Sequence, residues 1–110
     1  MIVVIKNKKL EKIINDRNKL IRKYGPENAK LIIRRLNELK AADSLGIIVE
    51  YRIGRCHSLS GDLNGKYALD LDHPDRLIIK PVFEANTDFS KLDLYEVKEV
   101  IIEEVKDYHD

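Results

Sequence analysis

The chain of 110 residues has a single cysteine, Cys56. One thiol excludes an internal disulfide and any zinc site built from several cysteines. It suits a reducing compartment, so the cytoplasm is the expected location. No apolar run approaches the roughly 20 residues of a membrane span. Met1–Ile5 is too short for a signal-peptide core, and no small-residue cleavage site follows it. An excess of one charge is also missing: 20 Lys and Arg against 19 Asp and Glu leave +1, which excludes a uniformly basic nucleic-acid-binding protein. There is no G-x-G-x-x-G, no phosphate-binding loop and no H-E-x-x-H, and no internal repeat or low-complexity tract. His57, His73 and His109 show no metal-ligand spacing, so neither a metal nor a small-molecule cofactor is expected.

What is present is enough for one core. The length fits a single domain over residues 1–110, and 44% hydrophobic with 35% charged residues suits a compact fold under a charged surface. The near-neutral total hides a gradient. Residues 1–40 carry 12 basic and 4 acidic side chains, residues 41–82 carry 5 and 6, and residues 83–110 carry 3 and 9. A basic first third is compatible with a polyanion such as RNA. It is equally compatible with two ends that balance each other once folded.

Apolar β-branched residues over Ile2–Ile5 predict a short buried strand. Asn7 is placed to cap a helix over 8–24, whose stripe of Leu10, Ile13, Ile14, Leu20, Ile21 and Tyr24 is interrupted at Arg17. Gly25 stops that helix and Pro26 opens a second, to about Ala42, with Ala29, Ile32, Ile33, Leu36 and Leu39 on its apolar face. The two make a helical hairpin. Residues 44–54 are left open, and Gly54, Gly61 and Gly65 punctuate a stretch too interrupted for helix. Residues 66–71 alternate as a half-buried strand. Asp72–Asp75 is a turn, and Arg76–Val82 is a second strand, apolar on both faces, with Pro81 near its end. Residues 83–93 read as a polar loop. The last segment is ambiguous: Leu94, Val97, Val100, Ile101, Val105 and Tyr108 follow a helical period, yet most have high β propensity.

The polar residues able to carry chemistry are Arg52, Arg55, His57, Ser60, Tyr67, His73, Arg76, Asp107, Tyr108 and His109. RNA is cleaved by its own 2′-hydroxyl when a base removes the hydroxyl proton, an acid protonates the leaving 5′-oxygen and cations hold the phosphate. Histidine serves either proton-transfer role near neutral pH, and arginine offers a planar fork to phosphate oxygens. The plainer readings are a loop histidine at 57, a turn histidine at 73 beside Pro74, a core tyrosine at 67, frayed ends at Tyr108 and His109, and a buried Cys56 packing as a small apolar residue.

Arg55-Cys56-His57-Ser58-Leu59-Ser60-Gly61, continuing through Gly65 to His73-Pro74-Asp75-Arg76-Leu77-Ile78 and Pro81, resembles the plasmid-maintenance killer toxins, the HigB-like branch of the RelE/ParE superfamily. Lys8-Lys9-Leu10-Glu11-Lys12, Tyr24-Gly25 and Arg35-Leu36-Asn37-Glu38-Leu39-Lys40-Ala41-Ala42-Asp43 look like the helical half of that family. Asp107-Tyr108-His109 looks like its C-terminal signature, so the resemblance covers nearly the whole chain.

The resemblance implies an α+β fold: an N-terminal strand and helical hairpin packed on a curved, mostly antiparallel sheet, RelE-like and microbial-RNase-like. It makes the last segment a strand over about 95–105. It implies the toxin of a type II toxin–antitoxin pair, a metal-independent endoribonuclease that cuts mRNA on the ribosome. A helix-turn-helix, HigA-like antitoxin, the ribosome and mRNA would be its partners. The family's catalytic positions fall on His57, Asp107, Tyr108 and His109, and its phosphate contacts on Arg55 and Arg76. One departure stands out. Many relatives have lysine where this chain has Ser60, and a hydroxyl donates a hydrogen bond without neutralising charge. Arg52 and Arg55 are the nearby cations able to take that place. The serine keeps one alternative open, a catalytically weak or inactive toxin-fold partner of an antitoxin; a second is a ParE-like gyrase inhibitor, which has no need of the His57 and Asp107-Tyr108-His109 set.

Overall fold

The computed structural model describes residues 1–107. Tyr108 and His109, two of the four expected catalytic residues, lie outside the described residues.

The first strand, β1 (Ile2–Val4), leads into α1 (Lys8–Ile14). Asn7 caps α1 as expected, its Oδ1 accepting from the Leu10 amide at 3.0 Å. The single helix predicted over 8–24 is broken: α1 stops at Ile14 and α2 runs Arg17–Tyr24. Asp16 is extended and accepts from the Lys19 amide at 3.2 Å, which starts a new helix. Asn and Asp side chains compete for nearby backbone groups, so the Asn15-Asp16 pair ends one helix and caps the next. The interruption of the apolar stripe at Arg17 was the trace of this break.

Gly25, at φ 87°, closes α2 and precedes Pro26 at the first turn of α3 (Pro26–Ala41). The positive φ is a region glycine enters without a Cβ penalty. α2 and α3 pack against each other about this turn. The open segment after α3 contains a fourth helix, α4 (Leu45–Glu50), with Ser44 buried and accepting from the Ile47 amide at 3.4 Å.

The remaining strands are β2 (His57–Ser58), β3 (Tyr67–Asp70), β4 (Asp75–Pro81) and β5 (Glu99–Asp107). They form one mixed sheet in the order β1-β5-β4-β3-β2, antiparallel except for the β1–β5 pair. The architecture is thus α+β, four helices and a five-stranded open sheet among the described residues. β1 is an edge strand rather than a buried one, with Ile2 60% exposed; only Val3 of its central positions packs on the core. No described helix is long and apolar enough to cross a membrane.

The main core lies between helices and sheet and includes Leu20, Ile32, Leu39, Leu45, Ile48, Leu69, Leu77, Ile79, Val100 and Ile102. A second, smaller cluster of Leu59, Ala68 and Ile78 sits apart, with Leu63 packed against it. β3 is therefore covered on both faces, not one, because the loop after β2 folds over the sheet.

The last segment is a strand, but it starts at Glu99, and Leu94–Glu96 is a short 3₁₀ turn. The helical spacing has a physical source. Ile78 faces Glu104 while Ile79 faces Ile102, so Glu103 is an extra residue in β5. Such a bulge shifts the pleat by one position. Ile102 and Val105, three apart, both face the helices across from Ile79 and Leu77. A bulged strand here imitates a helical period.

Asn28 joins the helices to the β3–β4 turn. Its Nδ2 donates to Asp75 Oδ2 at 2.7 Å and its Oδ1 accepts from the Asp72 amide at 2.8 Å. Asn28 is buried and both bonds are part-buried, so Asn28→Ala leaves both partners short of a bond. The expected cost is about 2 kcal/mol, read as a lower urea midpoint at unchanged slope.

Candidate functional site

The candidate site begins in a strained turn. Arg52 and Arg55 have φ of 52° and 51°, and Gly54 between them has 58°. Left-handed backbone at non-glycine residues is uncommon and costly, and such residues concentrate at working sites. The turn is closed by the Arg55 amide on the Arg52 carbonyl at 2.9 Å and the Cys56 amide on the Ile53 carbonyl at 3.1 Å. Gly54 avoids the Cβ cost of its φ, and a Cβ there would stand 2.7 Å from Arg35 Nε. Arg35 in turn donates to the Asp70 carbonyl at 2.8 Å and to Glu38 Oε1 at 2.7 Å.

Beyond the turn the chain alternates. Cys56 points inward and is buried. Burial pushes its thiol up to about 12, so it is a packing residue, not a nucleophile. It should resist alkylation at pH 8 in the native protein and react after denaturation. Between pH 9 and 12 the unfolded chain loses the Cys56 proton before the folded one does. Stability therefore falls as pH rises through that window, and the burial-raised hydroxyls of Tyr24 and Tyr67 act in the same direction.

His57 is exposed, and its Nδ1 lies 2.9 Å from the Arg55 carbonyl oxygen. A carbonyl can only accept, so Nδ1 carries the hydrogen and the neutral ring presents its lone pair on Nε2. The strained turn thus orients the ring as well as the arginine.

Strand register shows what shares a face. His57 lies opposite Ala68, Ala68 opposite Ile78, and Asp70 opposite Arg76. Side chains two apart on a strand point the same way, so His57, Asp70 and Arg76 belong to the face away from the helices. Asp107 is opposite Asp75, whose side chain meets Asn28 of α3. By the same alternation Asp107 lies on the helix side, so the structure does not bring it together with His57.

Asp70 links the arginines. Its Oδ1 is 3.0 Å from Arg76 Nε and its Oδ2 3.4 Å from Arg55 Nε. Oδ1 is shielded from solvent and accepts no hydrogen bond, so its contact with Arg76 is electrostatic. Arg76 is only 16% exposed, and its Nη1 also donates to the carbonyls of Pro74 and Asp75 at 3.3 and 3.2 Å. It is committed inside the protein. Arg55 is 80% exposed, and Arg52 and Ser60 are exposed as well. Ser60 precedes the Gly61–Leu63 turn without capping it. His73 is exposed in the β3–β4 turn. Of the three expected arginines, Arg52 and Arg55 are outward, and Arg76 is tied to Arg55 through Asp70; Lys106, opposite Arg76 and half-exposed, shares that face.

Sequence reasoning missed Asp70, which looked like the polar member of an alternating strand. The signal was in the turn: once Asp72–Pro74 closes a hairpin, residue 70 must face residue 76. Among the described residues no three His, Cys, Asp or Glu side chains are grouped to hold a metal. A cavity of about 840 Å³ lies elsewhere, between Ile2 at the sheet edge and residues 82–99. Glu84, Asp88, Asp93, Glu96 and Glu99 outnumber Lys91 and Lys98 around it, so it disfavours anions. The arginine face is the better anion site despite its shallowness. Searches of family models, curated proteins and solved structures return no match to this chain.

Proposed function

We propose that the chain is the toxin of a type II toxin–antitoxin pair, a HigB-like, RelE-fold endoribonuclease acting on ribosome-bound mRNA in the cytoplasm. The observation that carries this reading is the exposed His57 ring, whose Nδ1 hydrogen bonds the Arg55 carbonyl and leaves Nε2 as the acceptor, two residues along the chain from an exposed arginine. It is joined to the motif resemblance of the first subsection. The mixed, mostly antiparallel sheet under helices is compatible with that family's layout.

In this reading His57 Nε2 takes the proton of a ribose 2′-hydroxyl. The 2′-oxygen attacks the adjacent phosphorus, the bond to the 5′-oxygen breaks, and an acid returns a proton to that leaving oxygen. The products are a 2′,3′-cyclic phosphate and a 5′-hydroxyl. Arg55 and Arg52 hold the phosphate oxygens, where charge builds in the transition state. The resemblance assigns the acid to His109 or Tyr108, which lie outside the described residues, with Asp107 orienting a neighbour.

A second reading is favoured by one observation. With Ser60 uncharged and Arg76 committed internally, the site has fewer free cations than the family pattern, which suits a non-catalytic antitoxin-binding partner. Tightly controlled expression followed by mapping of mRNA 5′ ends separates the readings. New in-frame cuts support the nuclease. A DNA-damage response without cuts supports a gyrase inhibitor, and neither effect supports the binding partner.

A further inference from the structure

Asp70 occupies the place between Arg55 and Arg76 that an anion would choose. We propose that its carboxylate is an internal stand-in for phosphate: on binding, Arg55 leaves Asp70 Oδ2 for a phosphate oxygen, while Arg76 stays on Oδ1. This deepens the reading above by naming how the same site accepts a phosphate group.

The asymmetry of the two ion pairs supports exchange at one side only. Arg76 is nearly enclosed and has two carbonyl anchors besides Asp70. Arg55 is four-fifths exposed, and among the described residues its side chain is ion-paired with Asp70, at the longer distance of 3.4 Å. An ion pair that exposed is weak and salt-sensitive. The guanidinium fork fits phosphate as well as carboxylate. The backbone under Arg55 is fixed by the left-handed turn on Arg35, so only the side chain has to move. Asp70 is left neutralised by Arg76 and by no means orphaned, which removes the usual penalty of breaking a part-buried pair. Asp70 is thus a positioning residue that sets the affinity of Arg55 for phosphate.

The test uses the full chain and inorganic phosphate, read by NMR on the Arg55 Nε–Hε signal and the Asp70 carboxyl carbon. In the native sequence both signals should move together on titration. Asp70→Asn should tighten phosphate binding about three- to fivefold, the weight of an exposed ion pair, and this gain should vanish in an Arg55→Ala background. A gain of equal size without Arg55 would reveal a long-range field effect and overturn the exchange, as would phosphate moving neither signal. Should Asp70→Asn fail to fold, the paired signals of the native chain decide alone. Because the titration needs no RNA, a positive result without mRNA cuts retires the nuclease and retains the exchange.

Discussion

If His57 is the base of the proposed nuclease, His57→Ala should lower mRNA cleavage by about 10²–10⁴-fold, the usual contribution of a positioned base, and relieve growth arrest. The fold should hold, because the ring is exposed and its one hydrogen bond is to a backbone carbonyl that water can reach. Surface changes of this kind stay within about 0.5 kcal/mol. The measurement is 5′-end mapping in a translating extract, with a thermal melt beside it to separate chemistry from folding. Antitoxin binding should persist. Undiminished toxicity of the double variant His57→Ala, His109→Ala would remove the acid–base assignment and leave toxicity by binding alone.

The largest effect on stability is expected at Leu77→Ala. Leu77 is fully buried at the centre of the sheet, opposite Leu69 on one side and Val105 on the other. Truncation loses the transfer energy of the removed carbons and leaves a cavity between three strands that hydrogen bonds hold apart. Collapse is therefore limited, and the cost should be about 3–4 kcal/mol. For a domain of this size that lowers Tm by roughly 15 °C or more. Ile78→Val, in the smaller cluster across the sheet, should cost about 1 kcal/mol.

Much of this arrangement was legible in the chain. Asn7, Gly25 and Pro26 act through their own backbone chemistry, so the start of α1 and the turn before α3 followed from residue type alone. The stripe of α3 was read correctly because an uninterrupted helix keeps a regular period, with Ala29, Ile32, Leu36 and Leu39 buried. The two strands around Asp72–Asp75 were recognised from alternation and turn residues. The general α+β class followed from these elements together, and the inward role of Cys56 followed from its type.

Other features needed contacts between distant residues. The break at Asn15-Asp16 depends on the Asp16 side chain capping the Lys19 amide. The strand character of β5 depends on β1 and β4 lying on either side of it, and the extra residue at Glu103 disguised its period. Exposure of β1 depends on its place at the sheet edge, since Ile2–Ile5 has the composition of a buried strand. The side of the sheet that receives Asp107 is set by register with Asp75, and a one-residue slip would reverse it.

The sequence by itself determined the local elements, the buried thiol and the residue types available for handling phosphate, because propensity, capping and turn chemistry act within a few residues. Only the tertiary structure decided that Arg76 is enclosed while Arg55 is free to the solvent, and that one carboxylate, Asp70, stands between them. Burial and charge pairing are properties of the strands brought side by side, and no spacing along the chain contains them.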